Sequence, residues 1–413
     1  MGRFLVSLTA GILVILGGWV GWSRADSVDD LLADASSVVA PSTDPTSSTH
    51  GAASSLPTDA DGSISLLDSP ASPPCSRPRP IGAGGMNRLM EQLDGEPRLQ
   101  GGDHGGSVAL ADGRRLFVYG DTIRDPVSVS PFMVRNSALV TNRGCVTALA
   151  GPSGDAFIPD DADNTGYWPL SLRSVAVTGG TRVQIITNRV RQTGDDAVFQ
   201  TLGSSLVTLE APTGRLPQVV DQQPLAEDTT DPRVPTWGAA MWDHDGRVYV
   251  FGTASNATKT TAGWSLHVAR TMPDDLGDMD RWEYWDGTRW AGRDEVPARG
   301  SAALIPAEQG VSHVLSVFER GGSWYAVSKE GDYLGRSLAV WKAPSVTGPW
   351  TKHVIEPLDN SDGILRYTPL AHPDFVTPAG TLLISWSESP VDHGLYRTNP
   401  QLYRPRFQEI ILP

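Results

Sequence analysis

The sequence predicts an all-β fold, a five-bladed β-propeller, preceded by a signal or anchor segment and a disordered linker. Three observations predict it. A unit of apolar strand, tight glycine-containing turn and strongly alternating strand recurs five times. Glycine (43), proline (32) and tryptophan (13) are plentiful among the 413 residues, which suits a turn-rich β protein. Long helical periodicity is absent: Met86–Leu93 accommodates two helical turns at most.

Arg3 precedes the apolar run Phe4–Trp22 (FLVSLTAGILVILGGWVGW), and Ser23 and Ala25 supply the small residues that a signal peptidase requires. The run is long for a signal core and barely long enough to span a bilayer. Residues 1–25 are therefore a signal peptide cut after Ala25 or a membrane anchor through residues 4–22, with cleavage favoured. Either outcome puts the body of the protein outside the cytoplasm, secreted or anchored at the cell wall. Residues 26–80 are rich in Ser, Pro, Ala and Thr and lack the apolar periodicity that builds a core, so a disordered linker is expected there. Residues 81–413 are the propeller domain. The two cysteines, Cys75 and Cys145, fit an oxidising compartment, where one disulfide would pin the end of the linker to the domain.

The five repeats are Ser107–Thr122, Arg173–Asn188, Ala239–Thr253, Leu315–Ser328 and Pro373–Ser387, with turn glycines at Gly113, Gly180, Gly246, Gly322 and Gly380. Their spacing is irregular but always the size of a four-stranded blade with long loops. Asp-Gly and Gly-Gly supply the positive φ that tight hairpin turns require. Alternation such as Leu116 and Val118 against Phe117 and Tyr119 suits a strand packed between two neighbouring blades.

A formal net charge of −14 argues against nucleic acid, because nothing basic is available to neutralise phosphates. No Gly-x-Ser-x-Gly elbow, Walker loop or His-Glu-x-x-His helix occurs. No cofactor is expected, no cluster demands a metal, and the chain is expected to be a monomer.

The chemistry concentrates in GGDHGGSVALADGRRLFVYGDT, Gly101–Thr122, where Asp103 and Asp121 flank a hairpin. With Asp112-Gly113 as a two-residue loop, the two aspartates fall on opposite faces. A three-residue loop or a bulge, which the surrounding glycines favour, puts both on one face at roughly 5–8 Å. Glycoside hydrolysis uses such a pair: one carboxyl protonates the leaving oxygen while the other attacks or activates water. Strand-end aspartates bonding to loop backbone would look the same in sequence.

This opening motif resembles that of actinobacterial propellers grouped as domain of unknown function 4185, some of which are endo-D-arabinanases of glycoside hydrolase family 183. The resemblance rests on Gly101-Gly102-Asp103, the following Gly-Ser, the Asp112-Gly113-Arg114 turn and the Gly120-Asp121-Thr122 ending. It implies a five-bladed propeller, an arabinofuranan substrate of the cell wall and catalytic roles for Asp103 and Asp121. Ala343–Trp350 and Ala371–Ser387 also resemble blades of five-bladed glycosidases, arabinanases among them.

Side chains opening the inner strands should line the central funnel and contact substrate: Tyr167, Trp168, Trp237, His313, Tyr367 and His372, with His104 beside Asp103. Asn188 and Arg189 end the second hairpin where Gly120 and Asp121 end the first, and join the same set. The sequence thus leads to an exported glycosidase acting on cell-wall arabinan. Its rival is a non-catalytic propeller that binds glycan or protein.

Overall fold

In a computed structural model of the chain, the described residues are 69–149, 151, 154–193, 198–255, 263–296 and 301–413; the signal or anchor segment and most of the linker lie outside them. Five antiparallel sheets follow one another along the chain. The first holds β1 (Gly101–Ala109), β2 (Arg115–Ile123), β3 (Met133–Val134), β4 (Ser137–Asn142) and β5 (Cys145–Leu149). The second holds β6 (Thr165–Val177), β7 (Gly180–Thr193), β8 (Val198–Pro212) and β9 (Gln218–Pro224). The third is β10 (Thr236–His244), β11 (Arg247–Ala254), β12 (Ser265–Thr271), β13 (Glu283–Trp285) and β14 (Trp290–Gly292). The fourth is β15 (Ser316–Arg320), β16 (Ser323–Glu330), β17 (Ser337–Ala343) and β18 (Thr351–Pro357). The fifth has three strands, β19 (Ile364–His372), β20 (Thr381–Pro390) and β21 (Arg406–Ile411).

This is a five-bladed propeller. The first strand of every blade, β1, β6, β10, β15 and β19, lines one central channel. The apolar core is divided into slabs, one in each gap between neighbouring blades. Strand β2 shows why alternation dictates this: Leu116 and Val118 pack toward the second blade, whereas Phe117 and Tyr119 pack toward the fifth. A strand wedged between two sheets must be apolar on both faces.

Ring closure departs from the regular blades. The open edge of the fifth blade is covered by helix α1 (Gly82–Met90), where Asn87 donates to Phe407 O and accepts from Phe407 N–H, mimicking a strand partner. The helix begins four residues earlier than periodicity predicted. Its glycines carry no helical preference, and burial of Met86, Leu89 and Met90 against the sheet outweighs that weakness. Cys75 and Cys145 are disulfide-bonded, closing a separation of 70 residues. Residues 69–80, assigned to the linker by composition, run beside the first two blades, with Ser72 N–H donating to Gly214 O and Leu216 N–H to Pro70 O. No helix among the described residues is long and apolar enough to cross a membrane.

Candidate active site

The open question of hairpin parity is resolved by backbone geometry. Leu110 N–H bonds Arg114 O, so the turn between β1 and β2 has three central residues, Ala111 to Gly113, and not two. Register then breaks twice: Asp103 faces both Gly120 and Asp121, and Gly105 is an extra residue opposite the step from Tyr119 to Val118. These irregularities bring both aspartates to one pocket.

The same device recurs around the ring. Register also shifts between Pro169 and Ser171 in β6, between Trp237 and Ala240 in β10, and between Tyr367 and Leu370 in β19. Bulges re-aim side chains without lengthening a strand, and here they sit at the pocket end of four inner strands. Two glycines make the close packing there: a Cβ on Gly238 (φ +101°) would lie 2.1 Å from Ile186, and one on Gly106 (φ +123°) would lie 2.9 Å from Leu172.

The pocket is a cavity of about 150 Å³ at the start of the inner strands. Both aspartates keep partial solvent exposure. Tyr367 donates its hydroxyl proton to Asp103 Oδ1, and Tyr403 donates to the same carboxyl. Burial pushes Asp103 up to about 6, against the opposing pull of these two hydrogen bonds. Asp121 accepts from Trp168 Nε1 at 3.0 Å. Burial pushes Asp121 up to about 7, the negative charge of Asp103 adds to the rise, and the Trp168 bond opposes it. Near neutral pH such a pair tends to hold one proton between its two members, because two neighbouring buried carboxylates resist ionising together.

Of the residues singled out in the sequence, Asp103, Asp121, Trp168, Asn188, His313 and Tyr367 line this pocket. The other four described side chains do not. Tyr167 is buried between the first two blades and donates to Asp161 Oδ2 at 2.6 Å. Arg189 is paired with Asp228 at 2.7 Å. Trp237 packs edge-on against Trp282 and Tyr284. His372 is held between the hydroxyls of Ser107 and Ser385, at 2.9 Å each. The reason is alternation: Tyr167 and Arg189 are sequence neighbours of pocket residues and point the other way. The side chain of His104 lies outside the described part of the structure.

Sequence reading missed Tyr333, Tyr396 and Tyr403, which complete an aromatic wall round Asp103. The Tyr396 and Tyr403 rings lie 4.7 Å apart, and Tyr333 lies 5.2 Å from Tyr367. These tyrosines come from connections between strands, Tyr333 after β16 and the others after β20, where no period marks them. Among the described residues, no group of three or more His, Cys, Asp or Glu side chains could hold a metal ion.

No curated protein matches the sequence. Among solved structures, one titled a putative hydrolase from Bacteroides ovatus shares the fold with a TM-score of 0.61 at 19% identity, covering 85% of this chain and 97% of that one. Looser overlaps include a protein of unknown function from Dyadobacter fermentans, with a TM-score of 0.44 at 14% identity over 76% of this chain and 84% of that one. A family-43 β-xylosidase/α-arabinofuranosidase from a compost microbial metagenome overlaps with a TM-score of 0.43 at 14% identity, over 77% and 93%. The family model that matches is a domain of unknown function, DUF5005, a different model from the one the opening motif resembles. It spans residues 88–411, from the last turn of α1 to the last residue of β21, and the chain belongs to that family.

Proposed function

We propose that this protein is an exported glycoside hydrolase that cuts neutral cell-wall polysaccharide, with arabinofuranan as its substrate class. The observation that carries the reading is the pair of carboxyls in one pocket, both raised toward neutrality by burial, with no cationic side chain among the lining residues. Buried carboxyls that a fold leaves without a cationic partner are costly, and active sites are where that cost is commonly kept.

Asp121 serves as the acid. Burial and the nearby charge of Asp103 both favour the protonated form of Asp121, and in the reaction it passes that proton to the glycosidic oxygen as the C1–O bond breaks and the bonding pair leaves with the oxygen. Asp103 serves as the base or nucleophile, because the Tyr367 and Tyr403 hydroxyls favour its ionised form. It either attacks C1 itself or removes the proton from an attacking water. The Cys75–Cys145 disulfide supports an oxidising compartment, as an exported protein would require. Arabinofuranan is suggested by the resemblance of the Gly101–Thr122 motif.

The test is oligosaccharide release from purified arabinogalactan and lipoarabinomannan by the full chain, beside Asp103→Asn and Asp121→Asn. Release by the wild type that is lost in both variants supports the assignment. Glycan binding without release, unchanged in both variants, would leave a binding propeller instead.

A further inference from the structure

The pocket lining holds polar groups that the acid and base do not use, among them the Asn188 amide and the His313 imidazole. Asn188 belongs to β7 and pairs across the ladder with Trp168, the residue that donates to Asp121. The residue is 2% exposed, and its Oδ1 is a buried oxygen with no hydrogen-bond partner among the described residues. A buried polar atom left unpaired is destabilising, and a bound donor would relieve that penalty.

The hydrogen-bond chemistry of His313 follows from its neighbour. The single hydroxyl proton of Thr253 is donated to His313 O at 3.0 Å, since a carbonyl can only accept. The contact of the same hydroxyl oxygen with His313 Nδ1, also at 3.0 Å, must then be an Nδ1–H donating to it. That fixes the neutral tautomer and leaves Nε2 with a lone pair. Burial holds the ring neutral by pulling its pKa down to about 4. Trp264 packs on the imidazole with ring centroids 4.6 Å apart, and its own Nε1 is fixed by Asp332 at 2.7 Å.

Cations near the pocket are committed elsewhere. Arg135, whose charge reaches Asp121, donates to Asp160 and Asn164, and Lys329 donates to Asn360 and Arg366 O. The second imidazole of the lining, His393, is held toward its neutral form by burial. With two carboxyls, an amide oxygen and an imidazole lone pair, the pocket is rich in acceptors and poor in positive charge.

We infer that Asn188 Oδ1 and His313 Nε2 form the acceptor side of a subsite for one neutral sugar ring, whose hydroxyl groups supply the donors, and that the subsite rejects anionic sugars. The inference rests on the hydrolase reading for its placement beside the reacting bond, but its recognition chemistry stands on these two side chains. The cavity of about 150 Å³ gives room for a single ring.

The experiment is calorimetric binding by the full-length chain carrying Asp121→Asn, which removes turnover. The probes are neutral oligosaccharides of arabinofuranose, xylose and galactose, set against oligogalacturonate. At least one neutral probe should bind and the uronate should not. Added Asn188→Leu or His313→Leu should weaken neutral binding roughly tenfold. His313→Gln, which offers an amide oxygen near the Nε2 position, should restore it to within about threefold. Equal or tighter uronate binding, binding unchanged in the leucine variants while their thermal transitions persist, or no neutral binding at all would overturn the subsite. Neutral binding with the expected losses in a chain whose wild type releases no product would keep the subsite and remove the hydrolase. Hydrolysis by the wild type with unaffected leucine variants would do the reverse.

Discussion

The two ends of the central channel are made from the same five inner strands and treat charge in opposite ways. Residues earlier in these strands, such as Asp103 and Trp168, line the small upper pocket. Later ones, such as Arg173 and Asp243, line a larger cavity of about 280 Å³ at the lower end, joined there by Asp374 from the turn after β19. Below, each carboxylate has an arginine: Arg173 holds Asp243 through two contacts of 2.7 and 3.2 Å, and Arg115 reaches Asp374 at 2.6 Å while lying over the Phe375 ring. Above, Asp103 and Asp121 have phenols and an indole as partners, and each other as like charges. Pairing serves stability at the lower end. At the upper end, neutral donors orient the carboxyls without fixing them as anions, which leaves their protons available for chemistry.

The sharpest way to break this contrast is to neutralise an upper carboxylate. Asp121→Asn keeps the shape and removes the proton that the proposed hydrolysis transfers, so kcat on the best polysaccharide substrate should fall by about 10²–10⁴-fold. Initial rates of reducing-end release measure this, and a loss below tenfold would mean that Asp121 is not the acid. The same variant separates function from stability. A folded-state pKa raised from 3.8 to about 7 means that the folded chain binds more protons than the unfolded one between those values. Stability therefore falls as pH rises through roughly 4 to 7. Asp121→Asn should gain about 1–3 kcal/mol over the wild type at pH 8 and nothing at pH 4, discounting for the residue's partial exposure. Urea titrations at the two pH values check the sign.

The lower end should behave in the opposite sense. Arg173→Met keeps most of the apolar stem and removes the charge facing Asp243, whose side chain is 49% exposed. A loss of about 1 kcal/mol is expected, with kcat within about twofold of the wild type. A large drop in kcat at unchanged stability would show that the two ends act as one site.

How much of this was legible follows from what periodicity encodes. Five glycine turns and two-sided apolar alternation are local signals. They lead to the propeller and to strands such as β2, whose faces serve two different cores. Asp245-Gly246 and Gly321-Gly322 take the positive φ values that the turns require. At the candidate site the local signal fails twice. Bulges at four inner strands shift the parity of their residues, and alternation then sends Trp168 in β6 and Asn188 in β7 to the pocket while their neighbours Tyr167 and Arg189 turn away. Tyr333, Tyr396 and Tyr403 come from connections whose paths are set by tertiary packing and not by any repeat. The opening motif signalled the site because its glycines mark the place where the ladder breaks.

A few-fold effect at the upper end tests the central claim most directly, that neutral donors tune the upper carboxyls. Tyr367→Phe removes one hydroxyl from Asp103 and leaves the ring packed against Tyr333. The Tyr367 hydrogen bond lowers the pKa of Asp103, so its loss lets burial raise that pKa further. If Asp103 acts ionised, the acidic limb of the kcat/KM profile must move to higher pH, while the alkaline limb, set by the proton on Asp121, stays nearly in place. The optimum narrows from its acidic side. At the plateau the rate falls only a few-fold, because Tyr403 still donates to the same carboxyl. A shift of the alkaline limb to higher pH, with the acidic limb nearly in place, would reverse the roles of the two aspartates. An unmoved profile with an equal loss at every pH would make Tyr367 a packing residue, and the upper pocket would then differ from the lower cavity in shape alone.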